Sequence, residues 1–296
     1  MSDYFPFDPE PRSPENKAPA GSCDSQFHPF GDPLTYPVRQ GAAYEMPDAT
    51  IAEALRMHRV LGIERGVIVQ STTYGSDNRI LLDALKVAGP EYKGCTVAAS
   101  LSLSDAEIER LDSAGVRGAR FNFLSSVNLV TSADSFARSV DRARELGWYI
   151  KIQPSENGIT DALSQISDID IPVIIDHMGR PNVAEGLDSE TVRATEELLK
   201  RGNFWVMLSN GHKFSRSGAP WNDVVPIAQR YIAAAPDRVL WATDWPHPLS
   251  KKQPPNDGDL FDLLFRYAPD AKQRQKILVD NPAALFGFNN ADQVAV

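Results

Sequence analysis

The sequence has few of the features that mark disulfide-rich, secreted or membrane proteins. Its 296 residues include only two cysteines, Cys23 and Cys95, and no CxxC pair. This excludes a disulfide framework and favours a reducing compartment. No apolar run approaches the roughly 18 residues that a membrane span needs, and the first twenty residues lack the apolar stretch of a signal peptide. We therefore expect a cytoplasmic protein that does not insert into a membrane.

Positive charge and glycine-rich loops are also scarce. Thirty Lys and Arg residues stand against 39 Asp and Glu, which gives a net charge of -9. Such a chain has no general attraction for nucleic acid or for anionic membranes, so we expect neither as a partner. No glycine-rich phosphate loop follows the first apolar run, which disfavours an open dinucleotide-binding sheet. An anionic ligand would need local arginines and lysines to hold it.

Short apolar runs alternate along the chain with amphipathic stretches. This alternation predicts βαβ units and a parallel sheet, and eight such units fit a closed (β/α)8 TIM barrel, an α/β fold. An open doubly wound sheet is the structural alternative. The predicted strands are Cys23–His28, Gly66–Thr72, Thr96–Leu103, Gly118–Phe123, Tyr149–Pro154, Pro172–Met178, Phe204–Ser209 and Val239–Thr243. The predicted helices are Ile51–Leu61, Asn78–Ala88, Asp105–Ala114, Ala133–Glu145, Ile159–Ile166, Ser189–Arg201, Trp221–Ala235 and Ala271–Val279.

The barrel is predicted to form a single domain with an extension at each end. The three segments are an extended, proline-rich arm at 1–20, the barrel at 21–290 and a tail at 291–296. Tyr4, Phe5 and Phe7 are the groups of the arm expected to dock, either on the barrel or on a partner subunit. A homo-oligomer is therefore left open. The loop Leu249–Leu260 is a candidate lid or subunit contact.

Polar residues occupy most of the predicted C-terminal strand ends, where TIM barrels carry their functional groups. Asp244 closes the last strand, because Pro246 and Pro248 cannot continue a central strand. A carboxylate in this position is either a loop cap or a catalytic base at the mouth of the barrel. His177 and Arg180 follow the sixth strand, where a buried structural histidine and a surface salt bridge are the alternatives.

Two further strand ends carry candidate groups. Arg120 near the end of the fourth strand suits a carboxylate ligand with a two-point fork, or else a buried ion pair. Gln26 and His28 lie two residues apart, so they share one face of the first strand. That spacing is the metal-ligand geometry of many barrel hydrolases, but Gln26 is a poor ligand for zinc.

Five stretches, in this order along the chain, resemble the amidohydrolase superfamily, and within it the 2-pyrone-4,6-dicarboxylate lactonases. They are Asp24-Ser-Gln-Phe-His-Pro-Phe-Gly, Val67-Ile-Val-Gln-Ser-Thr-Thr-Tyr-Gly-Ser-Asp-Asn, Gly115-Val-Arg-Gly-Ala-Arg-Phe-Asn-Phe-Leu, Ile174-Ile-Asp-His-Met-Gly-Arg-Pro and Thr243-Asp-Trp-Pro-His-Pro. The resemblance implies a TIM-barrel lactone hydrolase that acts in the breakdown of aromatic compounds, with a small anionic lactone as its substrate.

The resemblance also implies a role for each matching residue. The carboxylate that matches Asp244 activates water as the general base, and the histidines that match His28 and His177 polarise the lactone carbonyl. The remaining matches concern substrate binding. Arg120 and Arg180 match arginines that grip carboxylates, and Tyr44 and Thr72 match positions that contact the substrate.

Four positions depart from the dicarboxylate lactonase pattern. The chain has Gln26 where that pattern has His, Ser126 and Lys213 where it has Arg, and Gln153 where it has Tyr. The loss of one arginine fork and the change of another to lysine argue against the same planar dicarboxylate as substrate. A muconolactone that carries a sulfonate or a carboxylate fits better, and the related sulfomuconolactone hydrolases make sulfomuconolactone a concrete candidate.

The sequence leaves the question of a metal and of the reaction open. Either no metal is required, which we favour, or His28, His177 and Asp244 hold a single Zn²⁺ with water as its fourth ligand. A zinc-dependent decarboxylase of the same superfamily and a non-catalytic binding barrel are the alternative functions. His212 and His247 are predicted either to line the pocket or to cap loops, and His58 is predicted to be solvated on its helix.

Overall fold

Eight parallel strands form one sheet in which each strand pairs with the next along the chain. This arrangement, seen in a computed structural model that describes residues 4–129 and 132–288, confirms the (β/α)8 barrel. The predicted tail at 291–296 lies outside the described residues. The strands are β1 Cys23–Phe27, β2 Arg65–Val69, β3 Tyr92–Val97, β4 Val116–Asn122, β5 Tyr149–Gln153, β6 Val173–Ile175, β7 Phe204–Leu208 and β8 Val239–Trp241.

Helices surround the sheet and follow most of the predicted amphipathic stretches. The first begins with a capping box, in which Thr50 and Glu53 satisfy each other's backbone N–H, and ends at Gly62 in the left-handed region. The helices are α1 Ile51–Leu61, α2 Arg79–Ala88, α3 Asp105–Ser113, α4 Ala133–Leu146, α5 Leu163–Ile166, α6 Glu190–Leu199, α7 Gly211–Phe214, α8 Val225–Ala234, α9 Asp257–Tyr267, α10 Ala271–Gln275 and α11 Asn281–Phe286. No described helix is long and apolar enough to cross a membrane.

One predicted strand was placed wrongly, and one long helix was not predicted. The third strand was predicted at Thr96–Leu103, but β3 ends at Val97 and the small residues Ala98–Ser102 form a 3₁₀ turn. Helix α9 was missed, because its first turn contains Gly258 and follows a proline-rich loop; the predicted loop Leu249–Leu260 therefore ends at Asn256. A side chain at position 258 would lie 2.3 Å from the carbonyl oxygen of Arg12, so glycine allows the N-terminal arm to pass there.

The barrel interior is apolar at its lower end and polar towards its mouth. Strand alternation places Gly118 and Arg120 on the inner face of β4, paired in register with Tyr149 and Lys151 on β5. The ring of Tyr149 fills the space above Gly118, where a Cβ would lie only 2.4 Å from it. Phe286 of α11 packs edge to face against the same ring and closes the base of the barrel.

A buried carboxylate joins the first strand to the last. Asp24 accepts hydrogen bonds from the backbone N–H of Thr243 (3.1 Å), from the Thr243 hydroxyl (2.5 Å) and from Nε2 of His58 (3.1 Å). The Nδ1 atom of His58 in turn lies 3.0 Å from the Tyr92 hydroxyl. The prediction that His58 is solvated was wrong: only 1% of it is exposed, because its carboxylate partner lies inside the barrel wall.

The N-terminal arm docks on its own barrel beside the mouth. Phe7 is buried against the Trp245 ring, with ring centroids 4.6 Å apart. The backbone N–H of Phe5 donates to the carbonyl oxygen of Ser250 at 2.9 Å. Further along, Arg12 forms ion pairs with Asp259 and Asp262 of α9. The arm therefore fastens both the loop after β8 and the start of α9.

Replacing Phe7 with alanine should lower the free energy of unfolding by about 3 kcal/mol, because it empties a buried aromatic site. Phe5 is a matched control in the same arm, since 45% of its surface is exposed against 7% for Phe7. The change Phe5→Ala should cost under about 0.5 kcal/mol. Denaturant unfolding of both variants measures the difference, and equal losses would show that Phe7 does not anchor the arm.

Candidate active site

One cavity of about 340 Å³ at the C-terminal ends of the strands brings together all ten residues that the sequence predicts for the site. Its lining residues include His28, Tyr44, Thr72, Arg120, Ser126, Gln153, His177, Arg180, Lys213 and Asp244. These side chains come from strands and loops that are far apart in the sequence. They meet because parallel strands in a barrel all end at the same face.

Asp244 lies at the centre of the polar side chains of this cavity. Its Oδ1 atom accepts hydrogen bonds from the Gln26 side-chain amide at 2.7 Å and from Nε2 of His28 at 3.2 Å. Its Oδ2 atom accepts from the Asn210 amide at 2.8 Å and from Lys213 Nζ at 3.5 Å. Four donors, two from the end of β1 and two from the segment that follows β7, therefore fix the orientation of the carboxylate.

The backbone and the surroundings of Asp244 favour a fixed, ionised group. Its φ of +61° lies in the left-handed region, which aspartate tolerates better than most residues. Burial would raise its pKa, but interactions with His177 and Lys213 and the hydrogen bond from His28 hold the pKa well below its ordinary value. Asp244 is therefore a carboxylate across the neutral range.

His28 has an oxygen acceptor at each ring nitrogen. Its Nδ1 lies 2.7 Å from the carbonyl oxygen of Val69, and its Nε2 lies 3.2 Å from the Asp244 carboxylate. A carbonyl and a carboxylate can only accept, so each ring nitrogen is placed to donate a proton. His28 is therefore held between the barrel wall at Val69 and the Asp244 carboxylate.

His177 has an arginine donor at one ring nitrogen and a hydroxyl and an amide at the other. The Arg120 guanidinium lies 3.2 Å from its Nε2, while the Ser209 hydroxyl and the Asn210 amide lie 2.8 and 3.1 Å from its Nδ1. Burial is the main cause that lowers the pKa of His177 to about 3, and Arg120 and Lys213 act in the same direction. His177 is therefore neutral, and its Nε2 lone pair faces Arg120.

Below these groups, a buried ion cluster supports Arg120. The Arg120 Nε atom donates to Asp176 at 2.7 Å, and its Nη2 atom donates to the Gln153 side chain. The Lys151 Nζ atom, fully enclosed in the barrel, lies 3.4 Å from the other oxygen of Asp176. Burial would raise the pKa of Asp176, yet these two cations lower it. The buried ion pair was one of the two sequence interpretations of Arg120, and here it occurs in a residue that also lines the cavity.

The other two cations are better placed to receive a ligand. Arg180 forms no ion pair within 4 Å among the described residues, and its buried Nε atom has no hydrogen-bond partner there. Its guanidinium lies 5.6 Å from the centre of the Phe214 ring. Lys213 reaches from α7 towards Asp244 and the carbonyl oxygen of Pro248. A pocket with an unpaired arginine and a lysine suits an anionic group.

Hydroxyl groups form the wall next to β2. The Tyr44 hydroxyl lies 3.0 Å from the Ser71 hydroxyl and 3.5 Å from that of Thr72. The structure thus brings together the two residues that the sequence resemblance marks as substrate contacts, and adds Ser71 to them.

Four polar residues that line the cavity, Ser71, Asn122, Glu156 and Asn210, were not among the predicted site residues. Asn210 holds Asp244 and contacts His177, and Glu156 lines the rim on the loop after β5. Both follow predicted strands closely, and this position was the only signal that could have found them. His212 and His247 do not line the cavity. His247 bonds to Asp257 at 3.0 Å and packs against His212, so the pair supports the mouth loops.

The donor set does not suit a metal ion as it is arranged. Among residues 4–129 and 132–288, no group of three or more His, Cys, Asp or Glu side chains is placed to hold one. An arginine N–H occupies the side of His177 Nε2 at which a zinc ion would have to bind. The Gln26 side-chain amide donates its N–H to Asp244. Hydrogen-bond donors therefore occupy the positions at which a metal cation would bind.

Comparison with known proteins agrees with the geometry. Residues 23–288 match the sequence profile of the amidohydrolase family. The chain is 37% identical over 285 residues to a 2-pyrone-4,6-dicarboxylate hydrolase of Comamonas testosteroni (93% of each chain). It is 36% identical over 275 residues to a 4-sulfomuconolactone hydrolase of Hydrogenophaga intermedia (91% of this chain, 89% of the other).

Two further comparisons extend the picture. A D-galactarolactone isomerase of Agrobacterium fabrum is 30% identical over 281 residues, which cover 93% of this chain and 94% of the isomerase. The solved apo structure of a protein from Agrobacterium tumefaciens superposes with a TM-score of 0.82 at 27% identity, over 94% of this chain and all of that one.

The neutral state of His177 predicts a pH-dependent stability. Its pKa is about 3 in the folded protein against an ordinary 6.5, so below pH 6.5 the unfolded chain takes up a proton that the folded chain does not. Stability should therefore fall as the pH is lowered through this window. Between pH 6.5 and pH 5.0, His177→Gln should lose about 1.6 kcal/mol less than the wild type.

Urea unfolding at the two pH values measures both losses. The surface variant Asp237→Asn, whose carboxylate pairs with Lys276 outside the cavity, is the control and should keep the wild-type pH dependence. Parallel losses in the wild type and in His177→Gln would contradict a neutral, buried His177.

Proposed function

The chain belongs to the amidohydrolase family, and from that premise we propose that it hydrolyses a small anionic lactone, with Asp244 as the general base. The observation that carries the proposal is the convergence, in one cavity, of a fixed carboxylate, two histidines and three cationic side chains. The names of the relatives, which include hydrolases of a pyrone dicarboxylate and of a sulfomuconolactone, support a cyclic ester as the substrate. Muconolactone- and pyrone-type lactones are the first candidates, sulfomuconolactone among them.

The first step is the attack of water on the lactone carbonyl. Asp244 takes a proton from the water while the oxygen bonds to the carbonyl carbon. The carboxylate is suited to this role because it is ionised and its donors hold it in one orientation. Negative charge then develops on the carbonyl oxygen.

Donors around the carbonyl stabilise that charge. His28 presents an N–H at its Nε2 beside Asp244, and Arg120 lies next to His177 with one terminal nitrogen, Nη1, that has no hydrogen bond among the described residues. Fixed donors of this kind lower the barrier because they require no reorganisation during the reaction. His177 acts here as the neutral acceptor that orients Arg120.

Collapse of the intermediate breaks the bond between the carbonyl carbon and the ring oxygen. The proton held by Asp244 passes to that leaving oxygen, and the product is an open-chain hydroxy acid. Arg180 and Lys213 hold an anionic substituent of the lactone, which fixes the carbonyl within reach of the water. Tyr44 and Thr72, together with Gln153 and Ser126, surround the remaining ring atoms.

Two further properties belong to the same proposal. We place the enzyme in the cytoplasm, which suits two cysteines that are both free and buried. We also propose that hydrolysis needs no metal, since donors rather than open lone pairs surround Asp244 and His177. A decarboxylase that depends on zinc would need the histidine that Gln26 replaces.

Replacing Asp244 with asparagine should lower kcat by at least about 10²-fold, because a positioned base contributes roughly that much or more. The change keeps the shape of the side chain, so the KM for a muconolactone should change far less than kcat. Steady-state kinetics with a panel of muconolactones, pyrones and sugar-acid lactones measures both constants. Asp237→Asn is the control, and a near wild-type kcat in Asp244→Asn would remove Asp244 from the mechanism.

Chelation should leave the activity within about twofold of the untreated enzyme, if the donors rather than a cation polarise the carbonyl. Elemental analysis of the same chelator-treated sample checks for residual zinc. One zinc held per active chain after chelation, or activity that returns only when zinc is added back, would contradict the metal-free mechanism.

A further inference from the structure

The rim of the cavity carries a carboxylate that the proposed mechanism does not use. Glu156 lies on the loop after β5 and lines the same cavity as Asp244. It approaches Ser126, the position at which the dicarboxylate lactonase pattern has an arginine. At this part of the rim a negative charge therefore stands where that pattern presents a positive one.

The Glu156 carboxylate is fixed in place. The hydroxyl of Ser125 donates to its Oε1 at 2.8 Å, the backbone N–H of Ser126 donates to the same oxygen at 3.0 Å, and the backbone N–H of Ser125 donates to Oε2 at 3.3 Å. The backbone N–H of Glu156 itself also contributes. Because Glu156 is exposed at the rim, its carboxylate is nevertheless accessible to a ligand that donates a hydrogen bond.

The charge of Glu156 is permanent in the neutral range. Burial would raise its pKa, but the backbone N–H groups and the Ser125 hydroxyl lower it to about 2. The carboxylate also attracts the neighbouring Arg180 and offsets part of its positive charge.

The balance of charge around the cavity matters for the substrate. Three carboxylates, Asp176, Asp244 and Glu156, lie in or directly below it. The cations that line it are Arg120, Arg180 and Lys213, and Lys151 is enclosed below it beside Asp176. Arg120 already pairs with Asp176, and Lys213 approaches Asp244. The cavity is therefore poorly equipped to neutralise two anionic groups at opposite ends of one ligand.

Hydroxyl groups and one free acceptor also line this cavity. The hydroxyls belong to Ser126, Tyr44, Ser71 and Thr72, and the buried Oδ1 atom of Asn122 has no hydrogen-bond partner among the described residues. Such a surface favours a ligand that donates hydrogen bonds, as hydroxyl groups do, over one that presents a second anion.

We infer that Glu156 determines specificity: it selects a lactone with one anionic group, held by Arg180 and Lys213, and with a hydroxyl group that donates to the Glu156 carboxylate. A lactone with a second anionic group in that position meets like charge and is disfavoured. This inference rests on the proposed lactone hydrolysis, and among the anionic lactones it ranks hydroxylated mono-anionic ones above the pyrone dicarboxylate and sulfomuconolactone.

The experiment compares two substrates in several variants. One is a five-membered lactone with a single carboxylate and free hydroxyls, and the other is 2-pyrone-4,6-dicarboxylate. The wild type should have the higher kcat/KM on the first. Glu156→Gln should raise kcat/KM for the dicarboxylate relative to the hydroxylated lactone by at least about tenfold, mainly through KM, because it removes like-charge repulsion at almost constant shape. Ser126→Arg should shift the ratio in the same direction.

A matched control and a product analysis complete the design. Glu145→Gln removes a carboxylate on α4 that pairs with Arg142 outside the cavity, and it should leave the ratio unchanged. If Glu156 only holds the loops after β4 and β5 together, Glu156→Gln will lower the activity on both lactones equally and reduce Tm. That result, or a ratio within about twofold of the wild type, overturns the inference.

Failure of the proposed function has a different signature. If the wild type opens neither of these lactones nor any other in the panel, lactone hydrolysis itself is wrong. If it converts one lactone into another without forming the open hydroxy acid, as judged by NMR of the product, the reaction is an isomerisation. A wild type that opens lactones but prefers the dicarboxylate contradicts only the role of Glu156.

Discussion

The geometry of the site depends on the hydrogen bonds that the Asp24 carboxylate accepts. This carboxylate joins β1 to the residue that directly precedes Asp244, through the backbone and the hydroxyl of Thr243. Two backbone hydrogen bonds extend this connection: the Asp244 N–H donates to the Gln26 carbonyl, and the His28 N–H donates to the Trp245 carbonyl. Breaking a buried, fully bonded network of this kind costs several kcal/mol, because it leaves a charge without partners. The closure of the barrel and the position of the Asp244 carboxylate therefore depend on the same hydrogen bonds.

Above the contact between β1 and the end of β8, the cavity separates charges that would otherwise neutralise one another. Asp176 and Lys151 hold Arg120 from below, and Arg120 in turn keeps the lone pair of His177 occupied. Asp244 is left with amide, imidazole and ammonium donors and no direct arginine contact. Fixed dipoles and charges in such an arrangement can stabilise developing charge without first releasing water. The polar cluster therefore serves both to shape the upper barrel and to prepare it for chemistry.

The sequence predicted those parts of the protein that follow from local patterning. Short β-branched runs followed by proline or glycine predicted the strand ends, and a barrel collects strand ends at one face, so most of the site residues could be grouped without a structure. Tyr44 and Ser126 were identified only through the family resemblance. The limits of β3 were wrong, because Ala98–Ser102 is apolar enough for a strand but lies beyond the last pairing partner. His58 and Asp24 could not be paired from the sequence, since their contact depends on how α1 packs against the barrel wall. Glu156 could hardly be recognised as a site residue from the sequence, because a single acidic residue in a polar loop is usually solvated.

The docking of the arm links the start of the chain to the mouth of the cavity. Tyr4 packs edge to face on Tyr44, a cavity residue, and Phe7 packs on Trp245, which follows Asp244 directly. Where two equilibria share contacts in this way, thermodynamic reciprocity applies: if the docked arm strengthens ligand binding, a bound ligand strengthens docking by the same factor. The first residues of the chain then become a natural reporter of occupancy. Protease cleavage of the arm, or the signal of a fluorescent label attached to it, would report whether a ligand occupies a site some 240 positions further along the sequence.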